Sequence, residues 1–170
     1  MALQKPHERT FRKSIMSDLR KTFWDEILKM AKNDKDICLL VGDLGYSFMD
    51  DFVRELPRQF INAGIAEQNM IGVAAGMALG GLKPYVYSGA IFALMRPYEQ
   101  VRDDICYNNL PVKIVGTGAS GCLGPTHNFF PGENEEDLLK SFPNIKRFYP
   151  TCEEELVSSL LSDGPSYTRL

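Results

Sequence analysis

Glu67 is the residue in this chain whose type and setting most directly suggest chemistry. It lies in residues 60–78, FINAGIAEQNMIGVAAGMA, at the head of a run whose other members are small or uncharged. Gly72, Ala74, Ala75, Gly76 and Ala78 make a helix nearly free of large side chains, so its backbone can come close to a neighbour. Free N–H groups and the helix dipole at such a start favour the anion. A carboxylate held there can carry a proton for a bound molecule, as a general acid or base does. It can equally be an N-terminal charge with no task. The other candidates are Asp43 and Ser47 in the turn after residues 37–41, Phe92 and Arg96 in residues 90–96, and His127, one of only two histidines.

Alternating elements must position these side chains. Leu19, Phe23, Ile27, Leu28 and Ala31 share one helical face, and Asn33 with Asp34 ends that helix. Residues 37–41 form a wholly apolar strand, as expected where both faces are covered. A turn and a helix over 48–55 follow, stopped by Pro57. The strand at 60–62 leads through Gly64 into the Glu67 helix, which Gly80 and Gly81 close. Further on, a strand at 84–87, a helix at about 94–107 and a strand at 112–115 are predicted. The long glycine-rich loop 116–133 has a length typical of functional or mobile segments. A helix at 135–141 and a strand at 145–149 come next. Thr151 and Glu154 read as a capping box for a helix to about 162, before a last strand at 166–169. This order implies an α/β fold: a mostly parallel sheet flanked by helices on both faces. Ligands sit at the carboxyl ends of strands in such sheets, and the Gly42 turn, Glu67 and the Gly116 loop all follow strands.

Composition narrows the function. The chain has 170 residues, 44% of them apolar, enough to bury a core as one domain over residues 13–170 behind a flexible arm at 1–12. A net charge of -3 excludes the face-wide basic surface of a nucleic-acid binder. The cluster Lys5, Arg9, Arg12 and Lys13 is read as part of the solvated arm. Cys38, Cys106, Cys122 and Cys152 stand too far apart for a C-x-x-C site, so no metal centre is expected and the thiols fit a reducing cytoplasm. No apolar run approaches a membrane span, and the first twenty residues are too polar for a secretory signal.

Four segments in sequence, VGDL (41–44), FINAGIAEQNMIGVAAGMA (60–78), KPYVYSGAIFALMRPYEQV (83–101) and GPTH (124–127), resemble the pyrimidine-binding domain of the transketolase group of thiamine diphosphate enzymes. The resemblance runs from about residue 24 to 169. It implies that Glu67 hydrogen-bonds the cofactor's aminopyrimidine and promotes loss of the thiazolium proton. It implies that Phe92 walls the ring, that Asp43 and Leu44 line the cofactor, that Arg96 lies one turn on, and that Ser47 and His127 face substrate. Transketolases carry two phenylalanines in the wall, where Ala90 and Ala93 stand here. They also carry an acidic residue four positions before the histidine, where Leu123 stands, which implies a substrate other than the common ketose phosphates. The family's GDG…Asn diphosphate and Mg²⁺ site is missing, since Gly42-Asp43-Leu44 belongs to the other domain type. The resemblance therefore implies a separate diphosphate-binding subunit that carries GDG…Asn and holds Mg²⁺. The expected assembly is a heterotetramer, a split transketolase moving two-carbon ketol units between sugars or sugar phosphates. Alternatives are a subunit of a 2-oxo acid decarboxylating or deoxyxylulose phosphate synthase-like enzyme, a fragment cut at a domain boundary, and a non-catalytic α/β module.

Overall fold

A computed structural model describes residues 6–118 and 135–170, with the side chains of the first helix described from Leu19 onward. Its strands are β1 (Ile37–Val41), β2 (Phe60–Asn62), β3 (Lys83–Gly89), β4 (Lys113–Thr117), β5 (Lys146–Phe148) and β6 (Ser166–Arg169). All pair in parallel, in the order β2-β1-β3-β4-β6-β5. The helices are α1 (Pro6–Asn33), α2 (Asp50–Glu55), α3 (Glu67–Leu79), α4 (Ala90–Leu94), α5 (Glu135–Leu139) and α6 (Glu153–Leu160). A 3₁₀ turn at Pro57–Gln59 and a π-helix at Gln100–Tyr107 complete the described elements.

Period-two alternation along the strands divides the core into two layers. Cys38, Leu40, Val86 and Ile114 face one side with Met70, Ile71 and Ala74 of α3. Ile37, Leu39, Val41, Tyr85 and Tyr87 face the other, against α1, α2 and α6. On that side Phe23 stacks on Tyr87 at 5.4 Å and 11°, and Trp24 meets the same ring edge-on at 5.0 Å. Such pairs contribute about 0.5–1.5 kcal/mol each beyond the area they bury. Leu19, Phe23, Ile27 and Ala31 are buried as their spacing requires, whereas Leu28 is only half-buried.

Several expectations shift. The first helix begins at Pro6, inside the segment read as an arm over 1–12. Proline is well placed in a first helical turn, where its missing N–H has no partner to lose. The predicted helix at 94–107 is two pieces, α4 and the π-helix, separated around Pro97, which cannot donate to a continuous helix. The expected Thr151–Glu154 capping box does not form, since the N-cap makes no side-chain hydrogen bond. The N-cap of α6 is Cys152, and Glu155, not Glu154, reaches back to the Thr151 N–H at 2.7 Å and accepts from its hydroxyl at 3.0 Å. Among the described residues no helix is long and apolar enough to cross a membrane.

The direction in which strands are added reverses at β1, between β2 and β3. From β1 the chain crosses through α2 to β2 at one edge, and from β2 through α3 to β3 on the opposite side of β1. Since α2 packs in one layer and α3 in the other, the carboxyl ends of β1 and β3 flank a crevice of the kind that binds ligands in open parallel sheets.

Candidate active site

Glu67 is carried to that crevice by the first turn of α3. The chain leaves β2 at Asn62, turns at Gly64 with φ +71°, and enters the helix after Ala66, which supplies no side-chain cap. Small residues behind Glu67 let α3 lie close to β3, so the carboxylate is only 2% exposed. A buried carboxylate is costly unless its oxygens are satisfied. Here Ser88 at the end of β3 donates to Oε1 at 3.2 Å, and Arg96 Nη1 donates to Oε2 at 2.9 Å. Removing either partner would leave desolvated charge behind.

The turn after β1 closes the third side. A Cβ at Gly42 would come within 2.9 Å of Ser88 Oγ and 3.3 Å of Glu67 Oε1, so only glycine leaves the carboxylate in place. Asp43 follows with φ +55°, a conformation Asp tolerates better than most residues. Its carboxylate accepts from Tyr46 Oη at 2.5 Å and Asn62 Nδ2 at 3.1 Å, and these bonds hold its pKa below the ordinary carboxylate value.

The guanidinium of Arg96 lies 3.9 Å from the centroid of the Phe92 ring, a close cation–π contact. Arg96 also borders a surface pocket with Glu67, Ile65, Ala66, Gln68 and Asn69. This joins a buried carboxylate and a planar cation at one opening, with the Phe92 ring stacked on that cation. A wider groove runs along β5 and α6, lined by Lys146, Glu153, Val157 and Asp163, and holds none of these groups.

The structure thus brings together Glu67, Phe92 and Arg96, with Asp43 on the adjoining turn. Leu44 packs toward the core layer of α1 and α2. Ser47 is exposed, with φ +70°, and no contact links it to Glu67. His127 and the GPTH segment lie outside the described residues. Sequence reasoning put the Gly42 turn on this rim but passed over Ser88, which bonds Glu67, and Asn62, which bonds the Asp43 and Gly64 turns. The signal for Ser88 was a lone hydroxyl at the end of an apolar strand; for Asn62, a polar residue closing a short one. Among the described residues no group of three His, Cys, Asp or Glu side chains could hold a metal ion.

Comparison with known proteins shows the family and the fold. Residues 16–163 match the family model described as transketolase, pyrimidine binding domain. The chain is 39% identical over 146 residues to an apulose-4-phosphate transketolase subunit of Phocaeicola vulgatus, covering 84% of this chain and 46% of that protein. It is 33% identical over 161 residues to a putative transketolase C-terminal section of Methanocaldococcus jannaschii, covering 92% and 51%. A solved structure described as a split gene transketolase, inactive beta4 tetramer, superposes with a TM-score of 0.76 at 32% identity, over 89% of this chain and 50% of that one. The chain spans about half the length of these relatives.

Proposed function

This chain belongs to the transketolase pyrimidine-binding domain family, and we propose that it is the pyrimidine-binding part of a split, thiamine diphosphate-dependent transketolase. The observation that carries this reading is Glu67: a carboxylate 2% exposed, hydrogen-bonded on both oxygens, at the crevice between β1 and β3. Relatives named as one subunit of a transketolase and as a transketolase C-terminal section support the split arrangement.

Thiamine diphosphate, when bound, supplies the carbanion chemistry of ketol transfer. Glu67 holds the proton exchanged with the pyrimidine nitrogen, Ser88 and Arg96 fix the direction of its two oxygens, and Phe92 offers the aromatic face. Asp43 and Leu44 belong to the turn beside the cofactor, and Arg96, Ser47 and His127 to the substrate side. A buried carboxylate between a hydroxyl and a guanidinium fits this task, because its position is set before any ligand arrives. Diphosphate and Mg²⁺ fall to a separate subunit bearing GDG…Asn. The substrates are sugars or sugar phosphates, and the apulose 4-phosphate in the Phocaeicola relative's name is the first to try.

Self-association through α3 completes the heterotetramer. Gly72 and Gly76 have open space where a Cβ would stand, and Val73 between them is 40% exposed, so another backbone can approach that face closely. A cytoplasmic location accords with free thiols at Cys38, Cys106 and Cys152.

The test is native recovery of the tagged chain from its own cells with thiamine diphosphate and Mg²⁺, followed by mass and cofactor analysis. A second subunit bearing GDG and a stoichiometric cofactor are expected. A lone, cofactor-free chain would overturn the reading.

A further inference from the structure

Asn62 touches neither Glu67 nor the pocket, yet its side chain joins the two turns on which the site stands. It is the last residue of β2, a three-residue strand at the sheet edge that pairs only with β1. Ala63 N–H donates to Val41 O at 2.9 Å, and the two chains then part into the Gly42–Asp43 turn and the Gly64 turn. From there the Asn62 amide takes over. Its Oδ1 accepts from Gly64 N–H at 3.0 Å and from Asp43 N–H at 3.2 Å, while Nδ2 donates to Asp43 Oδ1 at 3.1 Å.

Each of these bonds has a geometric task. The Gly64 bond is an Asx turn that sets the entry into α3, three residues before Glu67. The two Asp43 bonds hold that residue at φ +55°, a left-handed conformation that costs a non-glycine residue on the order of 1 kcal/mol. Gly42, one residue earlier, forms the backbone wall against Glu67 Oε1 and Ser88 Oγ. The task needs an acceptor for two N–H groups and a donor toward a carboxylate, and a side-chain amide carries both. Aspartate would keep the acceptors and set like charge against Asp43.

We propose that Asn62 is a positioning residue that fixes the spacing of the Gly42–Asp43 wall and Glu67, and through it the affinity for the cofactor. This rests on the function assigned above. Without the amide the two turns move independently, and the crevice between β1 and β3 loses its set width.

The experiment is a double-mutant cycle between Asn62→Asp and Asp43→Asn in the complex with its co-purifying subunit, read as the thiamine diphosphate dissociation constant by calorimetry. Amide hydrogen exchange of the chain carrying Asn62→Ala accompanies it. Asn62→Asp is expected to weaken binding roughly tenfold, the scale of one lost hydrogen bond. In the Asp43→Asn background, where the amide and carboxylate exchange places, the penalty should shrink to less than about threefold, the coupling expected of groups in contact. A purely structural role at the strand edge would not be rescued by that exchange. In Asn62→Ala, the Asp43 and Gly64 amides should lose protection together while Val86 and Ile114 keep theirs. An equal Asn62→Asp penalty in both backgrounds, or loss of protection at one turn alone, would overturn the proposal. If the wild-type complex binds no thiamine diphosphate, the functional reading falls, and the exchange measurement still decides whether Asn62 joins the turns.

Discussion

Glu67 and Glu135 are both buried, and each meets one arginine and one hydroxyl, but their surroundings differ. At Glu67 the hydroxyl comes from Ser88 on the rim, and the arginine, Arg96, is 40% exposed, stacked on Phe92 and bordering a pocket. At Glu135 the hydroxyl is that of Tyr167, wholly buried in the core and donating at 2.8 Å, and Arg169 stands at 3.4 Å. Burial pushes the Glu135 carboxyl up, against the pull of Arg169 and Tyr167, and the Tyr167 hydroxyl is itself raised well above its ordinary value. Burial and pairing alone therefore do not mark a reactive carboxylate. What separates the two is setting: Glu67 and Arg96 border a surface pocket, while Glu135 is bonded to the hydroxyl of Tyr167 in the core and paired with Arg169 on β6.

The comparison can be broken most sharply at Glu67. Glu67→Gln should cut turnover of the complex by on the order of 10² to 10⁴-fold, the contribution of a positioned acid or base, with the assembly mass unchanged. An active Gln variant would leave the two glutamates equivalent in function. Gly42→Ala comes next. The added Cβ must displace Ser88 or Glu67, and overpacking of this kind costs typically about 1–3 kcal/mol. Cofactor affinity should fall, and Ser88→Ala in the same chain should restore part of it, because the closest clash is with Ser88 Oγ at 2.9 Å.

Glu135 sharpens the contrast from the other side. Glu135→Ala leaves the Tyr167 hydroxyl unpaired in the core and should lower unfolding stability by about 1–3 kcal/mol, measured by denaturant titration. The smallest effect is the pH dependence. Because the folded carboxyl is raised, the folded state holds its proton more tightly than the unfolded chain. The stability this lends is present below the ordinary glutamate value and is lost as pH rises through the folded one. Glu135→Gln removes that slope, so wild type should lose stability relative to the variant as pH rises above the ordinary glutamate value, with cofactor binding unaltered. A cofactor defect in Glu135→Gln would move this residue into the site.

Much of the architecture was legible because its signals are local. The wholly apolar run at 37–41 and the small-residue stretch after Glu67 carry their own periodicity, and both became the elements they suggested. The break at Pro97 was carried by the proline itself, as at Pro57, but the residues on either side were read as one helix. Glu155 rather than Glu154 bonds Thr151, because the sequence offers both as partners and only helix geometry chooses between them. At the site, Leu44 was assigned to the cofactor by the turn it occupies, and its half-buried side chain also packs against the core layer beneath.

By itself the sequence determined the alternation of strands and helices, the family, and the carboxylate at the head of α3, since each is written in contiguous residues whose period and spacing survive without the fold. Tertiary structure alone decided what that carboxylate meets. Ser88 and Arg96 lie 21 and 29 residues from Glu67. Gly42 and Asn62 reach its surroundings across turns that only the parallel order β2-β1-β3 sets side by side. Burial, pairing and access depend on which rims the crossovers bring together, and no local pattern encodes that.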